Sequence, residues 1–259
     1  MALTAADVAL WKRLREMNAI PERPVVLEIG QANWFGDVDP SCLKGIGFIH
    51  RCTNCHDDVT ALVDDKKYGG CACGCFTEQI AMLDVSDPFA VAERYYRRTL
   101  DYSRIVAIDQ CGTERALKWD LNRMILGQSE EFCCDHSFDI VINSGTLEHI
   151  FNTCQAFQTI HDCCKVGGLM IHAVPVIGWL DHGFYCIQPT LFRDLASANG
   201  YEILLALWWD LETGQVTDGP HWPANWMLHT CLKKTSDAPF KMPQQGRYAT
   251  SAAVARESC

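Results

Sequence analysis

Pro24-Val25-Val26-Leu27-Glu28-Ile29-Gly30, running on through Gln31-Ala32-Asn33-Trp34-Phe35-Gly36, decides how the rest of the chain is read. A short, mainly apolar run between a proline and a glycine is too brief for a helix. It has the composition of a strand buried in a parallel sheet. The run closes on a carboxylate, Glu28, and then on Gly30, where the chain must turn. In open α/β sheets ligands bind beyond the carboxyl ends of the strands, and a glycine there lets backbone approach them.

Working outward, the same design recurs. Ser103-Arg104-Ile105-Val106-Ala107-Ile108-Asp109 is a second apolar strand with an acidic end, and Trp119-Asp120-Leu121-Asn122 supplies another acid. Phe138-Asp139-Ile140-Val141-Ile142-Asn143-Ser144-Gly145 is a strand ending in small polar residues. Leu169 to Val176, Glu202 to Trp209 and Trp226 to Leu232 read as further strands. Helices are predicted from Thr4 to Asn18 (with Thr4 and Asp7 as an N-terminal cap), from Asp87-Pro88 to Leu100, from Asn152 to Lys165 ending at Gly167-Gly168, and from Thr190 to Asn199 stopped by Gly200. Strands alternating with helices predict an α/β fold built on a doubly wound, mostly parallel seven-stranded sheet. A single domain then occupies residues 1–232. A Cys-, Gly- and Asp-rich insertion at about 37–84, between the first two strands, serves as a lid or substrate wall. Residues 233–259 form a polar, poorly ordered tail.

The totals exclude several classes. The 259 residues carry 22 Lys and Arg against 32 Asp and Glu, a net charge of −10, which argues against nucleic acid as partner. No apolar run approaches the roughly 20 residues that span a bilayer, and no basic n-region precedes an apolar core, so a cytoplasmic protein without membrane partners is expected. Among the 15 cysteines, Cys52-x2-Cys55 followed by Cys71-x-Cys73-x-Cys75 approximates a zinc spacing. Cys52, Cys55, Cys71 and Cys73 would then hold structural zinc. Cysteine is abundant throughout, however, and free thiols stand ahead of zinc as the reading.

Three strand ends make one chemical request. Gly30 and its neighbours offer backbone N–H groups. Asp109 can accept two hydrogen bonds from a ribose diol, Asp120 one from an adenine amine, and Asn143-Ser144-Gly145 close the pocket. At these residues, and at Thr146-Leu147-Glu148-His149 followed by a helix and Cys164-Lys165-Val166-Gly167-Gly168-Leu169-Met170-Ile171, the sequence resembles the class I S-adenosylmethionine-dependent methyltransferases, in their small-molecule branch. The resemblance covers about residues 22–232. It implies a Rossmann-like methyltransferase fold and S-adenosylmethionine as cofactor. Glu28 and Gly30 would approach its methionine moiety, with Gln31 and Ala32 also binding the cofactor, Asp109 at the ribose, Asp120 and Leu121 at the adenine, and Asn143, Ser144 and Gly145 on the methionine side near the transferred methyl. Ala32 and Trp34 stand where the family's turn carries its second and third glycines, and Glu28 and Asp109 are separated by far more than the roughly 20 residues of a minimal βαβ unit.

Methyl transfer from a sulfonium requires alignment and, for an alcohol or amine acceptor, removal of a proton. His149, His172 and His182 are candidate bases, with Glu148 and Asp181 as partners, and His149, directly after the pocket strand, ranks first. The catalytic set is therefore His149, Glu148 and His182. Trp34, Phe35, Trp179, Phe184 and Tyr185 are candidate walls for the acceptor. The expected activity is methylation of an O or N atom of a small molecule. The alternative is a catalytically silent relative that binds the nucleoside as a regulatory or scaffold subunit.

Overall fold

The computed structural model describes residues 2–34, 46–52, 58–62, 77–82, 87–123, 137–219 and 225–246, the three short segments between 46 and 82 by backbone course alone. In chain order the elements are β1 (Ala2–Leu3), α1 (Ala5–Glu16), β2 (Val25–Ile29), β3 (Asn33–Trp34), β4 (Ile46–Cys52), β5 (Asp58–Leu62), β6 (Thr77–Met82), α2 (Pro88–Leu100), β7 (Arg104–Ile108) and β8 (Ala116–Leu117). They continue with β9 (Phe138–Ser144), a 3-10 turn (Leu147–His149), α3 (Thr153–Cys163), β10 (Cys164–Ile177), α4 (Pro189–Asn199), β11 (Glu202–Asp210), β12 (Val216–Thr217) and β13 (Trp226–Lys233).

The main sheet has eight strands in the order β12-β11-β13-β10-β9-β2-β7-β8. From β10 to β8 every neighbouring pair is parallel, whereas β13 runs antiparallel between β10 and β11. The expected seven strands are present, and the two-residue β12 adds an edge ribbon to β11. After β2 the chain builds toward β7 and β8 on one side, then returns to lay β9 and β10 on the other. The strand order thus reverses at β2, the position at which α/β sheets open a crevice.

Both faces of β2 are buried because helices cover both sides. Val26, Ile140, Ile142, Leu169 and Ile171 pack with Leu10, Trp11 and Leu14 of α1 and Val91, Ala92 and Tyr96 of α2. Leu27, Ile29, Val141, Met170 and Val174 face Phe157 and Ile160 of α3 and Phe192 and Leu195 of α4. Each such aliphatic side chain contributes about 1.5–3 kcal/mol on burial. The helices start where local chemistry dictates. Asp87 accepts a hydrogen bond from the Phe89 N–H (2.9 Å) with Pro88 in the first turn, and the Asp7 carboxylate reaches back to the Thr4 N–H (2.9 Å) and hydroxyl (2.8 Å). α4 stops at Gly200, which takes the left-handed conformation at φ 69°.

Two segments depart from the sequence-based expectation. β10 begins at Cys164, not at Leu169, because Cys164 already pairs with Phe138 and the register shifts before Leu169. The Gly167-Gly168 pair therefore lies inside an irregular strand start, tied to residue 234 through Gly167 N–H to the Lys234 carbonyl (2.7 Å) and Lys234 N–H to the Gly168 carbonyl (3.0 Å). Beyond Lys233, where the sequence suggests a loose tail, residues 234–246 lie against α3 and α4. Lys234 is fully buried, and its ammonium donates to the His161 and Cys164 carbonyls (2.9 and 3.0 Å) at the negative end of α3. Asn199 bonds Lys241 in both directions (3.0 and 2.7 Å). Residues 247–259 lie outside the described residues.

β4, β5 and β6 form a separate antiparallel sheet in the order β5-β4-β6, within the expected 37–84 insertion. Cys55, Cys71 and Cys73 lie outside the described residues, and Cys52 is placed only as the last residue of β4. Among the described residues no helix is long and apolar enough to cross a membrane.

Candidate active site

The rim of the main sheet is assembled from the loops that follow β2, β7, β8 and β9. Ile29 pairs with Ile108, and the Gly30 N–H extends the ladder to the Ile108 carbonyl (2.7 Å). The tips of β2 and β7 are thus side by side. Asp109 closes the corner: one carboxylate oxygen accepts the Gln31 N–H and the other the Cys111 N–H, each at 2.8 Å. Gln31 in turn bonds Thr113 twice, donating from Nε2 to the Thr113 hydroxyl (2.9 Å) and accepting the Thr113 N–H (2.7 Å). The bend after β2 is therefore laced to the loop after β7. Each Asp109 oxygen keeps a lone pair for a further donor.

Gly30 has no room for a side chain. Its φ is +83°, and a Cβ there would stand 2.3 Å from the Thr146 hydroxyl. That contact joins the bend after β2 to the loop after β9. On the other side, Asn122 accepts the Asn152 N–H (2.8 Å) and its carbonyl accepts the Asn152 amide (3.2 Å), which brings the Asp120-Leu121 loop against the start of α3. The Asp120 carboxylate is held below its ordinary range by the Asn122 backbone and side-chain N–H groups. Gly30, Gln31, Asp109, Asp120, Leu121, Asn143 and Gly145 thus border one rim.

Among the described residues, several buried polar atoms on this rim have no hydrogen-bond partner: Glu28 Oε1, the Thr146 hydroxyl oxygen and both oxygens of Glu148. Buried groups left this way require an account, and a bound ligand is one. Glu28 lines a cavity of about 120 Å³ with Gln31, Ala32, Phe89, Ala107 and Arg115. Burial pushes its carboxyl up to about 8, with the Asp109 charge adding to the rise and the Ala32 N–H opposing it. An orphaned carboxylate, a glycine bend and a diol-accepting aspartate fit the donors and acceptors of an aminoacyl nucleoside such as S-adenosylmethionine.

Asn143 and Ser144 point to opposite faces. The Asn143 side-chain Oδ1 accepts the Leu147 N–H (3.1 Å), while the Ser144 hydroxyl donates to Asp7 (3.1 Å) on the α1 side. Asp7 Oδ2 lies 3.5 Å from His229 Nε2, both residues fully buried. Burial alone would raise the Asp7 carboxyl, but the His229 imidazole 3.5 Å away and the two Thr4 bonds outweigh it and hold the group below its usual range. This Thr4–Asp7–Ser144–His229 cluster was not predicted, since it joins α1 to β9 and β13 across most of the chain.

Glu148, His149 and His182 come together. Each presents a ligating atom within 4.8 Å of the others', with Glu148 fully buried and the two histidines exposed. His182 Nε2 is 3.7 Å from Glu148 Oε1, and the two imidazole centroids are 5.0 Å apart. Burial pushes the Glu148 carboxyl up to about 7; His149 is pushed down by burial and by His182. The loop carrying His182 is pinned because the Phe184 N–H donates to the Glu148 carbonyl (2.8 Å). Gly183 permits that approach, since a Cβ there would sit 2.9 Å from the same carbonyl oxygen.

His172 is not part of this group. It lies in the core between Phe157 and Phe192, and burial drives its pKa down to about 3. Of the aromatic candidates, Trp179 packs on His182 (4.7 Å) and Phe184 stacks edge-on against Phe151 (5.9 Å) beside the cluster. Trp34 instead packs on Tyr95 of α2 (5.7 Å), and Phe35 lies outside the described residues.

A central parallel sheet with a reversal at β2, an antiparallel β13, and loops after β2, β7, β8 and β9 along one rim make this a doubly wound, Rossmann-like α/β fold. Residues 88–172, from α2 through the first half of β10, match the family described as a methyltransferase domain. Among solved structures the chain is similar to the 1,6-didemethyltoxoflavin-N1-methyltransferase of Burkholderia thailandensis, bound to 1,6-didemethyltoxoflavin and S-adenosylhomocysteine. The alignment has 12% identity, covers 90% of this chain and 79% of that one, and gives a TM-score of 0.48. It is also similar to a TehB-like methyltransferase of Corynebacterium glutamicum, with 12% identity, 88% and 96% coverage and a TM-score of 0.33. No curated protein matches the chain.

Proposed function

We propose that this chain is an S-adenosylmethionine-dependent methyltransferase acting on an O or N atom of a small-molecule acceptor. The observation that carries the reading is the corner in which Asp109 accepts the Gln31 N–H at 2.8 Å beside the left-handed Gly30. In this reading Asp109 holds the ribose diol, Asp120 and Leu121 border the adenine, and Glu28, Gly30, Gln31 and Ala32 face the methionine end. Asn143, Ser144 and Gly145 shape the floor, Ser144 through its bond to Asp7. The cofactor supplies an electrophilic methyl on a sulfonium. Glu148, His149 and His182 take charge of the acceptor: they orient it and relieve it of its proton, with Phe151 and Phe184 as an apolar wall.

The reading treats residues 1–232 as one domain, with the 37–84 insertion as a lid or substrate wall, and places the protein in the cytoplasm. Cys231, buried as a free thiol, suits a reducing compartment. A binding-only relative is the second reading, favoured by Ala32 and Trp34 in place of turn glycines.

Thermal shift and turnover test both readings. S-adenosylhomocysteine at about 100 times its dissociation constant should stabilise the protein by roughly 2.7 kcal/mol, and Asp109→Ala should abolish that shift without unfolding the chain. Stabilisation by NADH and not by S-adenosylhomocysteine would overturn the proposal. A shift with no S-adenosylhomocysteine formed from S-adenosylmethionine across a panel of phenols, alcohols and amines would favour the binding-only reading.

A further inference from the structure

The Glu148 carboxylate has lost its water without gaining a donor. It is fully buried, among the described residues neither oxygen has a hydrogen-bond partner, and the His182 imidazole stands 3.7 Å away. A buried carboxylate in that condition is costly unless something positive meets it. Beside it stand two imidazoles on different segments, His149 on the 3-10 turn after β9 and His182 on the loop after β10, with ligating atoms within 4.8 Å of one another and of Glu148. Donors 2.0–2.2 Å from a shared ion lie roughly 3–4 Å apart. Both imidazoles are exposed, so small rotations of their side chains close the gap.

The geometry assigns a divalent-cation site to Glu148, His149 and His182, facing the acceptor side of the rim. One carboxylate oxygen and two imidazole nitrogens are a donor set for first-row transition ions such as Mn2+, Fe2+, Co2+ or Zn2+, in contrast to the all-oxygen shells of Mg2+ and Ca2+. Three protein ligands leave coordination positions open, the pattern of catalytic and not of closed structural metal sites. The exposed histidines turn those positions to solvent, where an acceptor arrives. Two hydrogen bonds to backbone carbonyls keep the ligands in register: the Phe184 N–H clamps the His182 loop onto the Glu148 carbonyl at 2.8 Å, and the Tyr185 hydroxyl donates to the Phe151 carbonyl at 2.9 Å.

The site deepens the methyltransferase reading, on which it rests for the meaning of its location, by naming the acceptor chemistry: an oxygen donor, an alcohol or phenol hydroxyl. The hydroxyl oxygen would bind the cation, its O–H bond would break with the proton passing to solvent, and the freed oxygen pair would form the O–C bond to the methyl as the C–S bond breaks and its pair leaves on sulfur. The Gly30–Thr146 contact sets this oxygen on the same rim as the proposed methionine end.

The test is a titration of metal-free, full-length protein with MnCl2, following the electron paramagnetic resonance signal of free Mn2+. Manganese is chosen because thiolates elsewhere in this cysteine-rich chain favour softer ions. The wild type should bind one equivalent, and His149→Ala and His182→Gln should each weaken binding at least about tenfold. His182 is exposed, so its variant keeps the fold, and a thermal melt verifies this. No Mn2+ retained by the wild type, or retention unchanged in both folded variants, overturns the site. S-adenosylhomocysteine is titrated in parallel: its binding without Mn2+ binding removes the cation alone, whereas Mn2+ binding without it removes the methyltransferase reading and leaves the cation.

Discussion

Glu28 shows how one side chain couples the rim to stability. Its carboxyl is pushed up from 4.5 to about 8 by burial, so the folded chain favours the neutral form and the unfolded chain does not. A raised folded pKa means that Glu28 weighs nothing against folding below about pH 4.5 and progressively more as pH rises through about 8. One pKa unit corresponds to about 1.4 kcal/mol, so at pH 8 the loss is on the order of 3–5 kcal/mol. Glu28→Gln should therefore leave urea stability at pH 5 nearly unchanged and raise it at pH 8–9. Parallel pH dependence in wild type and variant would sink this account of the site. Gly30→Ala should act in the opposite sense: φ of +83° and a Cβ 2.3 Å from the Thr146 hydroxyl oxygen force the bend to shift. S-adenosylhomocysteine binding should fall with it at every pH, as read by the thermal shift.

Helix α1 depends on a buried polar anchor as much as on Leu10, Trp11 and Leu14. Asp7 accepts from Thr4 and Ser144 and sits 3.5 Å from His229, joining the helix to β9 and β13 with almost no solvent contact. Exchanging the Asp7 carboxylate for an amide leaves buried donors of Thr4 or Ser144 without an acceptor, a cost of about 1–3 kcal/mol, so Asp7→Asn should lose that much at pH 7 in urea unfolding. The Asp7 carboxyl is held below 3.8 in the fold, and its stabilising share is present above that value and lost as pH falls through its folded pKa. The gap between wild type and variant should narrow as pH drops below about 4; a gap constant with pH would show that packing and not ionisation is responsible. Only half of this anchor was legible in the sequence. Thr4 and Asp7 announce a helix cap by spacing. Ser144 and His229 are partners only because the sheet order sets Ser144 opposite Ala173 and Ala173 opposite His229. The same holds at the candidate site. The acids at strand ends mark Glu28 and Asp109 along the chain, whereas the Gln31–Thr113 lacing and the meeting of His149 with His182 arise from loops that no local pattern brings together. The start of β10 was misplaced for a related reason: Gly167-Gly168 reads as a helix stop, and only the pairing of Cys164 with Phe138 and the Lys234 bonds make it strand.

For the molecule as a whole, alternating apolar runs and helices disclosed the doubly wound sheet because the central strands β2, β9, β10 and β13 bury both faces, which leaves a strong compositional mark. The 37–84 segment left no such mark, and the structure places there a second, antiparallel sheet whose described strands pair only among themselves. Its flanks, in contrast, belong to the main body: β3 pairs with β1, Trp34 packs on Tyr95 at 5.7 Å, and α2 covers the core beside α1. The two ends of the excursion are therefore anchored close together independently of what lies between them. A flexible Gly/Ser linker of about ten residues, with an average reach of roughly 18 Å, can bridge them at small entropic cost. Replacing residues 37–84 by such a linker should leave one cooperative unfolding transition and preserve the thermal shift with S-adenosylhomocysteine, since Glu28, Gly30, Asp109 and Asp120 all lie outside the excision. Acceptor turnover should fall, because the proposed lid or substrate wall is gone while the proposed nucleoside corner is kept. Loss of the thermal shift in a shortened chain that still folds would show instead that the excursion builds part of the nucleoside site, and the division of labour between the two sheets would have to be redrawn.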